Sequence, residues 1–289
     1  MNTTSGENTS FITPNWPAPA HVRALCSTRL GGVSGNSVKG QYASFNLGDH
    51  VGDDAAAVAA NRALWQQQLQ AQTVFLQQVH GIDCLDLTPD TPQASVADAC
   101  STQEPGLACT IMVADCLPVL FCNAAGTQVA AAHAGWRGLV GGVLHQALYA
   151  FLPNKAAESA WAAPKKEVPN SRLLAVAQEA KVMAWLGPCI GQGAFEVGAE
   201  VRAAFVAAYP WSSDCFVPSP TNASKSFCDL AAIARGVLQR LGVAVYGNDS
   251  SAPWCSYSHT ERWFSHRRAA QQGRQAGRMA ASVWLSPMR

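Results

Sequence analysis

Residues 127–138 read Thr127-Gln128-Val129-Ala130-Ala131-Ala132-His133-Ala134-Gly135-Trp136-Arg137-Gly138, and the chain continues through Gly141 and Gly142 to Phe151. An apolar run ends in a histidine and turns on glycines. Beyond the turn, Leu139, Val143, Leu144, Ala147 and Leu148 recur at helical spacing. The stretch predicts a strand over Thr127–Ala132 and a helix over Gly138–Phe151. Strand ends are where sheets flanked by helices place ligands, so His133 stands where chemistry is expected.

Outward from it, Thr73–Val79, Thr110–Ala114, Pro118–Cys122, Lys181–Leu186, Val243–Tyr246 and Trp263–Ser265 have strand character. Phe195–Tyr209 and Phe227–Leu241 read as amphipathic helices, with Asp229 complementing the dipole of the second. Ala276–Trp284 reads as a final helix. Irregular interleaving predicts an α+β fold, a mixed sheet covered by helices. Residues 1–18 are expected to be a disordered N-terminal tail and residues 19–289 a single catalytic domain. Residues from about 153 to 171 carry Pro153, Pro164, Pro169, Lys165 and Lys166 without apolar periodicity, which suggests a surface insertion.

Of the 289 residues, 48% are hydrophobic and 13% charged, enough to fill a core and unlike a disordered polar chain. Twenty basic residues against 19 acidic ones leave no basic footprint for nucleic acid, although Arg262, Arg267, Arg268, Arg274 and Arg278 cluster late in the chain. No apolar run approaches the roughly 20 residues of a membrane span. The first residues lack a basic start and apolar core, so a cytoplasmic protein is expected. Its ten cysteines form no CxxC pair and are expected to be reduced thiols.

Three segments have the form of active-site junctions: Gln77-Gln78-Val79-His80-Gly81, Ala114-Asp115-Cys116-Leu117-Pro118, and His133 with the glycines after it. His80, Cys116 and His133 would make a three-ligand zinc set with an open fourth position, the catalytic arrangement. The same residues read equally as two satisfied polar groups and a core thiol. A third reading makes Cys116 a nucleophile with His133 as its base, a cysteine hydrolase. The glycines before Gly142 are either a tight turn or an anion cradle to which Arg137 adds charge.

Together these segments resemble the laccase-domain family, also called the YfiH-like or polyphenol oxidoreductase family. The resemblance runs from Ser27-Thr28-Arg29 and Gly31-Gly32-Val33-Ser34 through Ser44-Phe45-Asn46-Leu47-Gly48, His50-Val51-Gly52-Asp53 and Asn61-Arg62. It continues through the three junctions, Leu186-Gly187-Pro188 and Phe195-Glu196-Val197-Gly198 to Gly277-Arg278-Met279-Ala280. It implies a single domain of three layers, α/β/α, with a mixed central sheet. It also implies a zinc held at His80, Cys116 and His133. The implied activity is phosphorolysis of adenosine, inosine, guanosine and methylthioadenosine, with hydrolytic deamination of adenosine. Purine nucleosides and phosphate are then the expected partners. Arg29, Asn46 and Arg137 are the candidate contacts to them, and Asp115 is the candidate acid/base. The family's older name raises copper and a polyphenol oxidase. Yet no two of the seven histidines are separated by one residue, as paired ligands of multicopper centres typically are, so copper is the lesser expectation. The chain departs from the resemblance at His266, where tyrosine is usual, and in the length of the insertion. The sequence does not specify an oligomeric state.

Overall fold

In the computed structural model, which describes residues 10–35, 41–152 and 169–287, the run around His133 is a strand with every residue buried. Such a strand needs an apolar layer on each side. In chain order the elements are β1 (Phe11–Ile12), β2 (Val22–Ser27), α1 (Ala55–Leu69), β3 (Gln72–Phe75), β4 (Cys84–Asp86), β5 (Ala99–Thr102) and β6 (Leu107–Val113). There follow β7 (Leu117–Cys122), β8 (Val129–Ala134), α2 (Trp136–Gly141), α3 (Val143–Tyr149), α4 (Asn170–Glu179) and β9 (Met183–Leu186). The chain ends with β10 (Glu196–Gly198), α5 (Ala199–Ala208), β11 (Phe216–Pro218), β12 (Lys225–Cys228), α6 (Leu230–Arg240), β13 (Ala244–Gly247), α7 (His266–Gln271) and β14 (Met279–Leu285).

The fold is α+β with mixed sheets, as expected, but where one central sheet was expected two are stacked. One has five strands in the order β1-β2-β14-β6-β3 and the other six in the order β13-β9-β7-β8-β5-β4. A small antiparallel sheet, β10-β12-β11, stands apart from both. Period-two alternation sorts the side chains. Cys109, Ile111 and Val113 of β6 share one core with Leu120 and Cys122 of β7 and with Val129 and Ala131 of β8. The alternate residues Ala108 and Met112 pack with Trp65 and Leu69 of α1. On the far side, Val119, Phe121, Ala130 and Ala132 pack against α2 to α6. The expected three layers are therefore four: helix, sheet, sheet, helices.

The difference traces to the segment expected to be a final helix. Met279–Leu285 is a central strand, Ala281 registering with Cys26 on one side and Ile111 on the other. Both of its faces are covered, so its run of Ala, Ser, Val and Trp shows no polar alternation from which a strand could be read. Its outer face carries a short polar chain. Trp65 Nε1 donates to Ser282 Oγ at 3.2 Å, and Ser282 Oγ lies 2.7 Å from Thr110 Oγ1.

Other boundaries shift for local reasons. The helix expected over Gly138–Phe151 breaks into α2 and α3 at Gly142, whose φ of 98° favours glycine. The helix expected over Phe195–Tyr209 starts only at Ala199, because Glu196–Gly198 pairs with β12. The helix expected over Phe227–Leu241 starts at Leu230, capped by Asp229. Trp263–Ser265 is no strand; Ser265 caps α7. Within the expected disordered tail, Phe11 and Ile12 pair with Ser27 and Cys26, while residues 1–9 lie outside the described residues. So does the expected insertion as far as residue 168, and Asn170 already begins α4. Among the described residues no helix is long and apolar enough to cross a membrane.

Ser282→Ala is expected to leave the Trp65 indole N–H without its buried acceptor and to lower unfolding stability by about 1–3 kcal/mol. Urea denaturation with wild type alongside measures the effect, and an unchanged midpoint would contradict the role given to this hydroxyl.

Candidate metal centre

The chain crosses from the five-stranded to the six-stranded sheet between β3 and β4, and again between β6 and β7. His80 lies in the first crossing and Cys116 in the second. His133 lies on β8, at the same seam. One donor atom from each falls within 4.8 Å of the other two. His80 Nε2 is 3.9 Å from Cys116 Sγ, and the two imidazole rings have centroids 4.9 Å apart. Zinc bonds of 2.0–2.3 Å place tetrahedral ligand atoms about 3.3–3.8 Å from one another. The cluster needs only a small contraction to hold such an ion, so the residues fit a metal.

A residue that sequence reasoning missed holds the cluster in place. Asp98 is fully buried just before β5. Its carboxylate accepts from the backbone N–H of Val79 at 3.1 Å, of His80 at 2.9 Å and of Gly81 at 2.6 Å. It also accepts from His133 Nδ1 at 2.8 Å, while His133 N donates to the Asp98 carbonyl. A carboxylate only accepts, so Nδ1 carries a proton and Nε2 is the nitrogen that would face a metal, on giving up any proton of its own. Burial alone would push this carboxyl up, but the bonds from His133, Gly81 and Val79 hold it below the usual range. His80 has a φ of 59°, a left-handed backbone that these bonds stabilise.

The two titratable donors polarise each other. Burial pushes the Cys116 thiol up, yet the charge of His133 and hydrogen bonds from both histidines outweigh it and bring the thiol to about 6. Burial pushes His133 down, while Cys116 and Asp98 raise it to about 9. A thiolate is the form that ligates a metal. The glycine turn is packed against this cluster. A Cβ on Gly135 would come within 3.0 Å of both Cys116 Sγ and His80 Cδ2, and one on Gly138 within 2.9 Å of the Gly81 carbonyl. These contacts require glycine at both positions of a tight turn.

The other expected site residues do not join the cluster. Asp115 Oδ1 accepts from Ser256 Oγ, and Oδ2 accepts from Ser265 Oγ and Arg267 N, so its carboxylate is engaged by structural partners away from the cluster. Arg29 donates to the Ala43 and Thr260 carbonyls and lines a separate recess with Arg268 and Arg274. Asn46 is fully buried and ties Gly48, Asp53 and Arg278 together. Arg137 is exposed, its guanidinium over the Trp136 ring at 4.4 Å. In their place, a cavity of about 680 Å³ opens beside the cluster and is lined also by His50, Arg62, Gln78, His266 and Arg278. Arg62 donates to the Leu47 carbonyl, pairs with Asp49 at 3.1 Å and lies over the Phe75 ring. Burial lowers the Arg278 guanidinium, and Cys116 and Asp115 counteract it. Arg62 and Arg278 both lie in segments that carry the resemblance, but neither segment shows from sequence that its arginine faces a cavity.

A family model described as multi-copper polyphenol oxidoreductase laccase matches residues 23–286. The chain belongs to this family. Among relatives of the laccase family, a protein of Pseudomonas aeruginosa named purine nucleoside phosphorylase is 43% identical over 277 residues, spanning 96% of this chain and 98% of its own. The Escherichia coli protein named purine nucleoside phosphorylase YfiH is 41% identical over 278 residues, spanning 95% and 98%. The crystal structure of a Neisseria meningitidis protein aligns with a TM-score of 0.79 at 40% identity, over 96% of this chain and all of that one. YlmD of Geobacillus stearothermophilus aligns at 0.75 with 26% identity, over 98% of each chain. The family's description invokes several coppers; among the described residues one cluster of three His, Cys, Asp or Glu donors is present.

Asp98→Asn is expected to remove two or more charge-assisted bonds and to weaken divalent metal binding by about 10–100-fold. Competition with a chromophoric chelator measures this, and wild-type affinity in the variant would refute the positioning role.

Proposed function

We propose that this protein is a zinc-dependent purine nucleoside phosphorylase that also deaminates adenosine. The observation that carries the reading is the union of an open-sided His-Cys-His cluster with a cavity bearing Arg62 and Arg278. Its volume, about 680 Å³, lies within the range of small-molecule sites. The names of the relatives point the same way. The expected substrates are adenosine, inosine, guanosine and methylthioadenosine, with phosphate for cleavage and water for deamination.

In this reading Arg278 and Arg62 offer guanidinium forks for phosphate and offset the charge it brings to the sugar. Asp49, beside Arg62, keeps that guanidinium in place until phosphate competes for it. Asp98 fixes the tautomer of His133 and, with it, the direction of its free nitrogen. Zinc suits two imidazoles and a thiolate and would supply Lewis acidity at its open position. Copper would also bind such ligands, and it is the less favoured occupant because the one donor cluster among the described residues does not make a multicopper centre. Ten free thiols suit a reducing compartment such as the cytoplasm.

A cysteine hydrolase has one observation in its favour, the chain Asp98–His133–Cys116 with its lowered thiol. His80 counts against it, since a nucleophile and base need no third donor aimed at the same point. Chelation separates the two. Loss of activity that zinc restores supports the metal, and activity that survives chelation but not iodoacetamide supports the nucleophile.

The purified protein is expected to release hypoxanthine and ribose 1-phosphate from inosine only with phosphate present, and to convert adenosine to inosine without it. Alanine at His80, Cys116 or His133 is expected to lower both rates by at least about 10²-fold. Chromatography of the products decides; phosphorolysis persisting in a chelated Cys116→Ala protein sinks the mechanism. Arg278→Ala should impair phosphorolysis more than deamination, whereas Arg137→Ala, outside the cavity, should leave both within about twofold. Equal losses in the Arg278 variant would remove its assignment to phosphate.

A further inference from the structure

The polar groups around the cavity are mostly committed. Arg62 and His50 engage Asp49, Gln78 bonds both ways to the Met112 backbone, and Arg278 donates to the Ala276 carbonyl. His80, Cys116 and His133 converge on one another. His266 is different. It faces the same cavity, is exposed, and its imidazole has no partner among the described residues.

Its place is nonetheless fixed. The residues on either side of it, Ser265 and Arg267, both donate to Asp115 Oδ2, at 3.0 and 2.6 Å. Asp115 immediately precedes Cys116, and its φ of 84° turns the chain there. One buried carboxylate therefore couples the first turn of α7 to a ligand of the metal cluster. Arg267 and Arg268, the next residues of α7, turn away to the carbonyls of Ala194, Glu196, Ser256, Tyr257 and Trp263. Only the imidazole is left toward the cavity.

Resting on the phosphorolysis reading, we propose that His266 is a catalytic residue, the general acid that protonates the departing purine. Imidazole is the side chain best suited to give and regain a proton near neutral pH. An oxygen of hydrogen phosphate bonds to the ribose anomeric carbon as the glycosidic C–N bond breaks, and that bond's electron pair leaves with the purine. The imidazolium gives its proton to ring nitrogen N7, so the base departs neutral. The new sugar phosphate sheds the proton that hydrogen phosphate brought, and this returns through solvent to the imidazole. Atoms and charge balance with no further reactant.

The test compares inosine with 7-methylinosine in the zinc-loaded full-length protein. Methylated N7 carries a positive charge, so that base leaves neutral without receiving a proton. In His266→Gln and in His266→Asn, kcat for inosine phosphorolysis is expected to fall by about 10²-fold or more, while 7-methylinosine is cleaved within a few-fold of wild type. Retained turnover of the methylated substrate also shows that the variants are folded. Unchanged inosine turnover in either variant, or equal loss on both substrates in both variants, overturns the assignment. Wild-type protein that cleaves neither nucleoside overturns the phosphorolysis reading and this inference with it.

Discussion

Four hydrogen bonds to one buried carboxylate organise this site. Asp98 accepts three successive backbone N–H groups from Val79, His80 and Gly81 and the Nδ1–H of His133. An ionised carboxylate removed from water is costly unless its lone pairs are filled, and here they are. The same bonds set the left-handed turn at His80, the ring orientation of His133 and the distance between the two. Cys116 then enters from the other crossing and meets both imidazoles. Asp98 thereby ties the crossing that carries His80 to the strand that carries His133.

Asp115 does a parallel job on the other side. It binds Ser256, Ser265 and Arg267, and its carbonyl accepts from Ile190 N, which gathers three distant segments around the residue before Cys116. The two acids divide the work. One orients the imidazoles, while the other anchors the thiol and brings α7 to the cavity. Both are buried, Asp98 being 0% and Asp115 8% accessible.

The convergence of His80, Cys116 and His133 is legible in the sequence because each ends a recognisable strand-and-turn segment. The residues that position them are not. Asp98 sits between Ala97 and Ala99, 35 residues from His133, with no motif around it. A lone acid amid Val96, Ala97, Ala99 and Cys100 was the available signal, since an acid there must be paired to be buried. The expected polar contacts lie outside the cavity lining for a related reason. Arg29, Asn46 and Arg137 stand in or near motif segments, but Arg29 and Asn46 serve backbone carbonyls and loops instead of the cavity. The second sheet is hidden because β14 is buried on both faces, so its run of Met, Ala, Ser, Val, Trp and Leu carries the same pattern as a buried helix. Helix α3 and the strands β6 to β9, whose apolar runs are bounded by turns, lay close to where their patterns put them.

The seam between the sheets has a consequence for how defects in this protein will present. Two donors ride on chain crossings and the third on one sheet, so the spacing of the sandwich acts as a ruler for the site. Close-packed interiors transmit displacement rather than absorbing it, and catalytic geometry tolerates only about 0.5 Å. Changes at Cys109, Ile111, Leu120 or Ala131, all inside the sandwich, will therefore displace the donors as well as loosen the core. Genetic screens for loss of activity should recover interior apolar positions alongside the ligands themselves.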